Sequence, residues 1–167
     1  MYRRVEDFLA AWNSEVESTV KILGELTERS LTQRVSADGR TLGFLAWHIT
    51  LTIPEMLNRT GLSVEGASSG HVAAPSTAAE LVEAYQNASR SAADQIRAGW
   101  TDTTLEETRE MYGERWTIGF TLFALLMHQA HHRGQMTVLM RQAGLRVPGI
   151  YGPAREEWAA YGMPAEP

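Results

Sequence analysis

Apolar residues recur along most of this chain at steps of three and four, the spacing that turns one face of an α-helix toward a core. In the first segment, about residues 2–26, Val5, Phe8, Leu9, Trp12, Val16, Val20, Leu23 and Leu26 form such a stripe, with charged residues opposite. Ser36-Ala37-Asp38-Gly39 interrupts the pattern. The second helix is predicted over about residues 41–59. There Phe44, Leu45, Trp47, Ile49, Leu51, Ile53, Met56 and Leu57 leave little polar surface, so several neighbours should enclose it. Pro54 lies inside it, removes one backbone donor and predicts a kink near Thr50.

Residues 61–75, rich in Gly, Ser and Ala, read as a loop. Thr77-Ala78-Ala79-Glu80 is a capping box that opens a third helix running to about Ala98. Its inner side carries Leu81, Val82, Tyr85, Ala88, Ala92 and Ile96, and Gly99 ends it. Residues 101–115 are polar and threonine-rich and predict an extended excursion. The fourth helix, about residues 117–143, stops at Gly144, the position that favours a left-handed glycine. A rigid turn, Val147-Pro148-Gly149-Ile150-Tyr151-Gly152-Pro153, and a short terminal helix over residues 154–161 complete the chain. Four long helices without an internal repeat predict an all-α fold, a four-helix bundle forming one domain over residues 1–167. The pattern leaves the directions of the helices open.

Composition narrows the chemistry. The 167 residues contain no cysteine, which removes disulfides, thiolate metal sites and a cysteine nucleophile. Twenty acidic and 15 basic side chains give a net charge of −5, and no basic stripe is present to track phosphates, so a nucleic-acid partner is not expected. Glu6 and Asp7 fall where a signal peptide needs an apolar core, and the longest near-apolar run, residues 117–127, is shorter than the roughly 20 residues of a membrane span. A soluble cytoplasmic protein with no membrane partner is expected.

The candidate chemistry lies in the histidines. Of five, His128, His131 and His132 fall within one stretch of the fourth helix. His128 and His132 lie one above the other, about 6 Å apart along the axis, and can aim two imidazoles at one metal ion. A pair of His128 and His131 also meets the geometry, but all three do not easily serve one ion. A zinc peptidase helix would carry glutamate directly after the first histidine as general base; this chain has Gln129, so that reaction is excluded. Taken alone, His48, between Trp47 and Ile49, reads as a core histidine, His131 as a packing or interface residue and His71 as solvated. Glu55, seven residues after His48, shares its helical face and reads as a surface residue or a pocket wall. Gly134 in mid-helix predicts close approach of a neighbouring helix. Gln135 is a candidate partner for the histidine rings, and Met127, Met136 and Met140 read as core filler.

Three stretches together resemble the DinB/YfiT family: Thr41-Leu-Gly-Phe-Leu-Ala-Trp-His48-Ile49, His128-Gln-Ala-His131-His132-Arg-Gly-Gln135, and Leu139–Gly144 followed by the turn at 147–153. The resemblance covers the whole chain and is most specific in the fourth helix. It implies an up-down-down-up bundle with a long crossover after the second helix, and a metal triad of His48, His128 and His132. It also implies zinc or nickel as the divalent ion, with iron or manganese as further candidates, and a homodimer. Three imidazoles leave a coordination position open, the catalytic rather than the structural arrangement. Similar proteins are thiol S-transferases that join bacillithiol or mycothiol to electrophiles, which makes a low-molecular-weight thiol the expected co-substrate and a small molecule the expected substrate. Others resemble metal-dependent hydrolases or isomerases, and a non-catalytic dimeric metal-binding stress-response protein is the reading from a different class. No general base or catalytic side chain is assigned by the resemblance.

Overall fold

Three threonines start three of the four long helices. In the computed structural model, described over residues 1–68 and 72–165, Thr41, Thr77 and Thr117 each accept a hydrogen bond from the amide three residues on, at 3.0, 3.2 and 3.2 Å. Each satisfies one orphan donor of the helix it opens. These helices are α2 (Leu42–Asn58), α3 (Ala78–Gly99) and α4 (Ile118–Gln142). Thr77 and Glu80 complete the capping box reciprocally, the Thr77 amide donating to Glu80 Oε2 at 3.1 Å. The first helix, α1 (Val5–Gly24), follows Arg4, which makes no such side-chain bond. Its Val5 amide instead donates to Asp102 Oδ1 at 2.8 Å, a carboxylate delivered from 97 residues away.

The helix directions follow from which ends meet. Glu28, just past α1, reaches the Ala78 amide at the start of α3, while Asp102, past the end of α3, caps the start of α1, so these two run antiparallel. Tyr2 docks on Gly119 at the start of α4, and Arg133 further along α4 meets Glu15 and Thr19 of α1, so α1 and α4 run parallel. Gln33, before α2, bonds Gln142 at the end of α4, while Glu55 near the end of α2 meets the chain just before α4, making these two antiparallel. The result is the expected up-down-down-up bundle, α2 and α3 running down. Apolar side chains from all four helices, among them Phe8, Trp12, Leu42, Ile49, Leu81, Tyr85, Leu122 and Met140, fill one continuous core. α2 is the most enclosed of the four, and it continues as one helix through buried Pro54.

The helix ends on α4 behave as the residues demand. The Gly144 amide bonds Arg141 O and the Leu145 amide bonds Met140 O, with Gly144 at φ 73°, which is a Schellman close. Gly119, at the other end, has the Tyr2 carbonyl oxygen 2.2 Å from where a Cβ would stand. This glycine, not Gly134, is where another segment passes close. Gly134 is exposed and a Cβ there would meet nothing within 4 Å, so the expectation of a neighbouring helix at that point is corrected. Met136 and Met140 are buried as expected, but Met127 is half exposed and is not core filler.

The excursion expected at 101–115 has more order than its polarity suggested. A 3₁₀ turn, Asp102–Glu106, leads into an antiparallel hairpin of β1 (Thr108–Met111) and β2 (Glu114–Thr117). Its tip is Tyr112-Gly113, both at positive φ (56° and 84°), as a two-residue turn that matches strand twist requires. A further 3₁₀ turn covers Glu28–Thr32, and the terminal helix is a 3₁₀ segment, Arg155–Tyr161, with no buried residue. Among the described residues no helix is long and apolar enough to cross a membrane.

Candidate metal centre

α2 and α4 are placed side by side, and their apolar packing turns His48 of the former toward His128 and His132 of the latter. His48 Nε2 lies 3.2 Å from His128 Nε2, which lies 3.1 Å from His132 Nε2. Nitrogens of all three rings fall within 4.8 Å of one another. Two imidazole nitrogens bound to one tetrahedral zinc at 2.0–2.1 Å sit about 3.3–3.4 Å apart, so separations of 3.2 and 3.1 Å are within about 0.3 Å of those around a shared ion. The protonation requirements agree. Each Nε2 offers either one proton or one lone pair, so His128 Nε2, facing two other nitrogens, cannot satisfy both. Lone pairs converging from three sides find a common partner in a cation.

The surroundings prepare the rings as neutral ligands. Burial, then the neighbouring His132 and His48 rings, push the His128 pKa down to about 4. Burial is also the largest cause lowering His48, followed by His132 and Arg40. His132 is lowered by burial too, partly offset by its hydrogen bond to Gln135. That bond, from His132 Nδ1 to Gln135 Oε1 at 2.8 Å, puts the proton on Nδ1 and leaves Nε2 free. Gln135 is therefore the ring partner the sequence suggested. Its Nε2 also donates to His131 Nε2 at 3.0 Å. His131 is exposed and stands outside the convergent group, so the pairing of His128 with His131 is not the one formed. Among the described residues His128 Nδ1, which is buried, has no hydrogen-bond partner. His71 lies outside the described residues.

A cavity of about 540 Å³ opens beside the triad, with His48 and His128 in its wall. Leu51, Met56, Trp116 and Ala124 supply the apolar lining, and Glu55 and Tyr112 the polar end. Glu55 is thus a cavity wall and not a freely solvated side chain. Its Oε1 accepts from Arg59 Nε at 3.0 Å and its Oε2 from the Tyr112 hydroxyl at 2.6 Å. Burial and the Glu55 carboxylate both raise the Tyr112 pKa, so the phenol stays protonated and donates. Tyr112 holds this place at φ 56°, a conformation that costs a bulky side chain energy and persists only where other contacts over-determine it. Those contacts are Glu55, the Arg59 guanidinium 4.9 Å from the ring centroid and Trp116 at 5.7 Å. Neither Tyr112 nor Trp116 was singled out from the sequence. The usable signal was a Tyr-Gly pair between Arg-Glu-Met and Glu-Arg-Trp, which marks a hairpin but does not say what its tip touches.

Gln129 is fully buried behind the triad. Its Nε2 donates to Ile49 O at 2.7 Å, and its Oε1 accepts from the Tyr85 hydroxyl of α3 at 3.3 Å. On the far side of the core Arg133, also buried, pairs with Glu15 and bonds Thr19 Oγ1 at 2.8 Å and the Tyr151 hydroxyl.

Comparison with known proteins agrees with this construction. The model of the DinB family matches residues 1–166. The Bacillus subtilis protein YrdA, itself uncharacterised, is 41% identical over 165 residues, spanning 99% of this chain and 98% of its own. The crystal structure of a DinB-like protein from Bacillus cereus is 42% identical and superposes with a TM-score of 0.87, covering 90% of this chain and 100% of that one. A DinB-like protein from Bacillus subtilis, 17% identical, shares the fold with a TM-score of 0.65 over 83% of this chain and 92% of its own.

Proposed function

The chain belongs to the DinB family, and from that premise we propose that it is a divalent-metal-dependent enzyme of thiol S-transferase type, acting on a small electrophile. His48, His128 and His132 hold the ion, zinc or nickel. The observation that carries this reading is the convergence of three neutral imidazole nitrogens, at 3.2 and 3.1 Å, beside a cavity of about 540 Å³. Such an ion, when bound, lowers the pKa of a thiol or water that joins it.

This chain's residues do the rest. Gln135 fixes the His132 tautomer so that its lone pair faces the site. Neither Glu55 nor His131 is among the convergent ligands, so among the described residues no fourth side chain closes the position. Leu51, Met56 and Trp116 exclude water from one side of the cavity and favour a compact apolar electrophile. With no cysteine in the chain, the thiol must arrive as a small molecule. One observation favours a second reading, a metal-dependent hydrolase: the Glu55 carboxylate lines the same cavity and offers a proton acceptor.

The test begins with elemental analysis of tag-free protein beside His128→Ala. About one ion per chain, lost in the variant, supports the triad; absence of stoichiometric metal at neutral pH refutes it. Metal-loaded protein is then assayed with pairs of low-molecular-weight thiols and electrophiles, and with esters and amides. Turnover of the latter without a thiol selects the hydrolase.

A further inference from the structure

The residue that excluded a peptidase has a use of its own. Gln129 follows His128 directly, and the carbonyl it bonds, Ile49 O, belongs to the residue directly after His48. One side chain therefore ties the backbone of one ligand-bearing helix to the other, a single residue away from a triad histidine on each. A carbonyl oxygen takes only a donor, so the amide nitrogen must face Ile49 and the amide oxygen the Tyr85 hydroxyl. Nε2 has a second, longer contact to Thr52 Oγ1 at 3.3 Å. The amide is fully buried, and so is Tyr85. Glutamate, ionised, could accept from Tyr85 but would set a carboxylate against a carbonyl oxygen 2.7 Å away. The amide, unlike an ionised carboxylate, donates to α2 and accepts from α3 at once.

The side chains around this bond are apolar and non-directional: Leu45, Ile49 and Ile53 of α2 and Leu122, Leu125 and Leu126 of α4 belong to one core. They resist separation of the helices but oppose sliding weakly. A buried hydrogen bond resists sliding, because a small displacement leaves a desolvated donor and acceptor unpaired. We infer that Gln129, braced by Tyr85, is a positioning residue that sets the register of His48 against His128 and His132 and so the geometry of the metal site. It touches neither metal nor substrate. The inference deepens the proposed function and rests on the same triad, but the register is measurable without any metal.

The test compares wild type with Gln129→Met, which keeps the unbranched shape and removes donor and acceptor, and with Tyr85→Phe and the double variant. In metal-free protein the nuclear Overhauser contact between the His48 and His128 rings, 4.9 Å apart by centroid, should weaken in Gln129→Met while the far-ultraviolet spectrum is unchanged. In Co(II)- and Zn(II)-loaded protein, affinity should fall about tenfold and the visible Co(II) bands should broaden. Tyr85→Phe should weaken affinity less, and the double variant should be no worse than Gln129→Met, because the brace acts only through the amide. A Gln129→Met protein of lowered melting temperature that keeps wild-type ring contacts, Co(II) spectrum and affinity overturns the inference. If Gln129→Met does not fold, Tyr85→Phe decides by the same three readouts. Should wild type bind no metal, the proposed function fails while the ring contacts alone still uphold or overturn the positioning role.

Discussion

Replacing Gly119 and, separately, Gly134 by alanine puts the same methyl group on one helix in two different surroundings. In a helix interior alanine is favoured over glycine by about 0.5–1 kcal/mol through backbone entropy. At Gly134 nothing lies within 4 Å of the new Cβ, so the whole gain should appear. At Gly119 the Cβ would stand 2.2 Å from Tyr2 O and 3.2 Å from Leu105 O, both backbone. Carbon–oxygen contacts close no nearer than about 3.3 Å, so the Tyr2 segment must retreat by about 1 Å. That retreat strains the 3.2 Å bond from the Tyr2 amide to Gly119 O and the edge contact of Tyr2 on Phe8 at 5.3 Å. Overpacking of this kind costs about 1–3 kcal/mol, which leaves Gly119→Ala less stable by up to about 2.5 kcal/mol after the entropic gain. For a chain of this length 1 kcal/mol moves the melting temperature by about 2–4 °C, upward for Gly134→Ala and downward by up to about 10 °C for Gly119→Ala. Urea and thermal unfolding of metal-free protein followed by circular dichroism measures both. A Gly119→Ala protein stabilised as Gly134→Ala is would refute the docking of the N-terminal segment. A destabilised Gly134→Ala protein would mean that something covers this open face, and a dependence of its melting on protein concentration would identify a second copy.

Saturating Zn(II) at about a thousand times its Kd should stabilise wild type by about 4 kcal/mol, an increment that a chelator and His132→Ala both abolish; calorimetry with and without metal reads it. Arg133→Leu leaves the part-buried Glu15 carboxylate without its cation, with the Tyr151 hydroxyl still donating to it at 2.8 Å, and should cost about 3 kcal/mol in urea unfolding. Burial pushes Tyr85 up to about 12 against about 10 in an unfolded chain. Below pH 10 both states hold that proton, and between about pH 10 and 12 the unfolded chain releases it first, so stability falls as pH rises. Tyr2, Tyr112 and Tyr151 are raised too and add slope of the same sign. The urea midpoint should therefore drop across that range, and less steeply in Tyr85→Phe; an unchanged slope there counts against the buried phenol.

Local signals in this chain were reliable wherever a residue acts on its own neighbourhood. Thr77 with Glu80, and Gly144, mark helix ends through bonds that span three to five residues, and each does so in the structure, while α3 ends at Gly99 with the closing bond made by the Trp100 amide. The three- and four-residue spacing located all four long helices to within a few positions, because a 3.6-residue turn converts spacing directly into a face. The spacing of His128 and His132 likewise guarantees neighbouring rings. Gly134 shows where such reasoning stops: a glycine is a statement about space, and whether the space is filled depends on which helix packs there. The hairpin at 108–117 was hidden for a related reason. Its strands are short and polar, and only Met111 is buried.

The sequence by itself determined the helical content, the caps, the lack of a cysteine thiol and two adjacent imidazoles on α4, all consequences of covalent order and helical pitch. Membership in a family suggested His48 as the third, but pitch within α4 says nothing about α2. Tertiary structure decided what needs two segments to meet: the approach of His48 to 3.2 Å from His128, the amide of Gln129 spanning α2 and α3, and the Tyr112 hydroxyl on Glu55. Those contacts bridge 44 to 80 residues of chain. Their geometry is set by how apolar faces pack around one core, which no local spacing encodes.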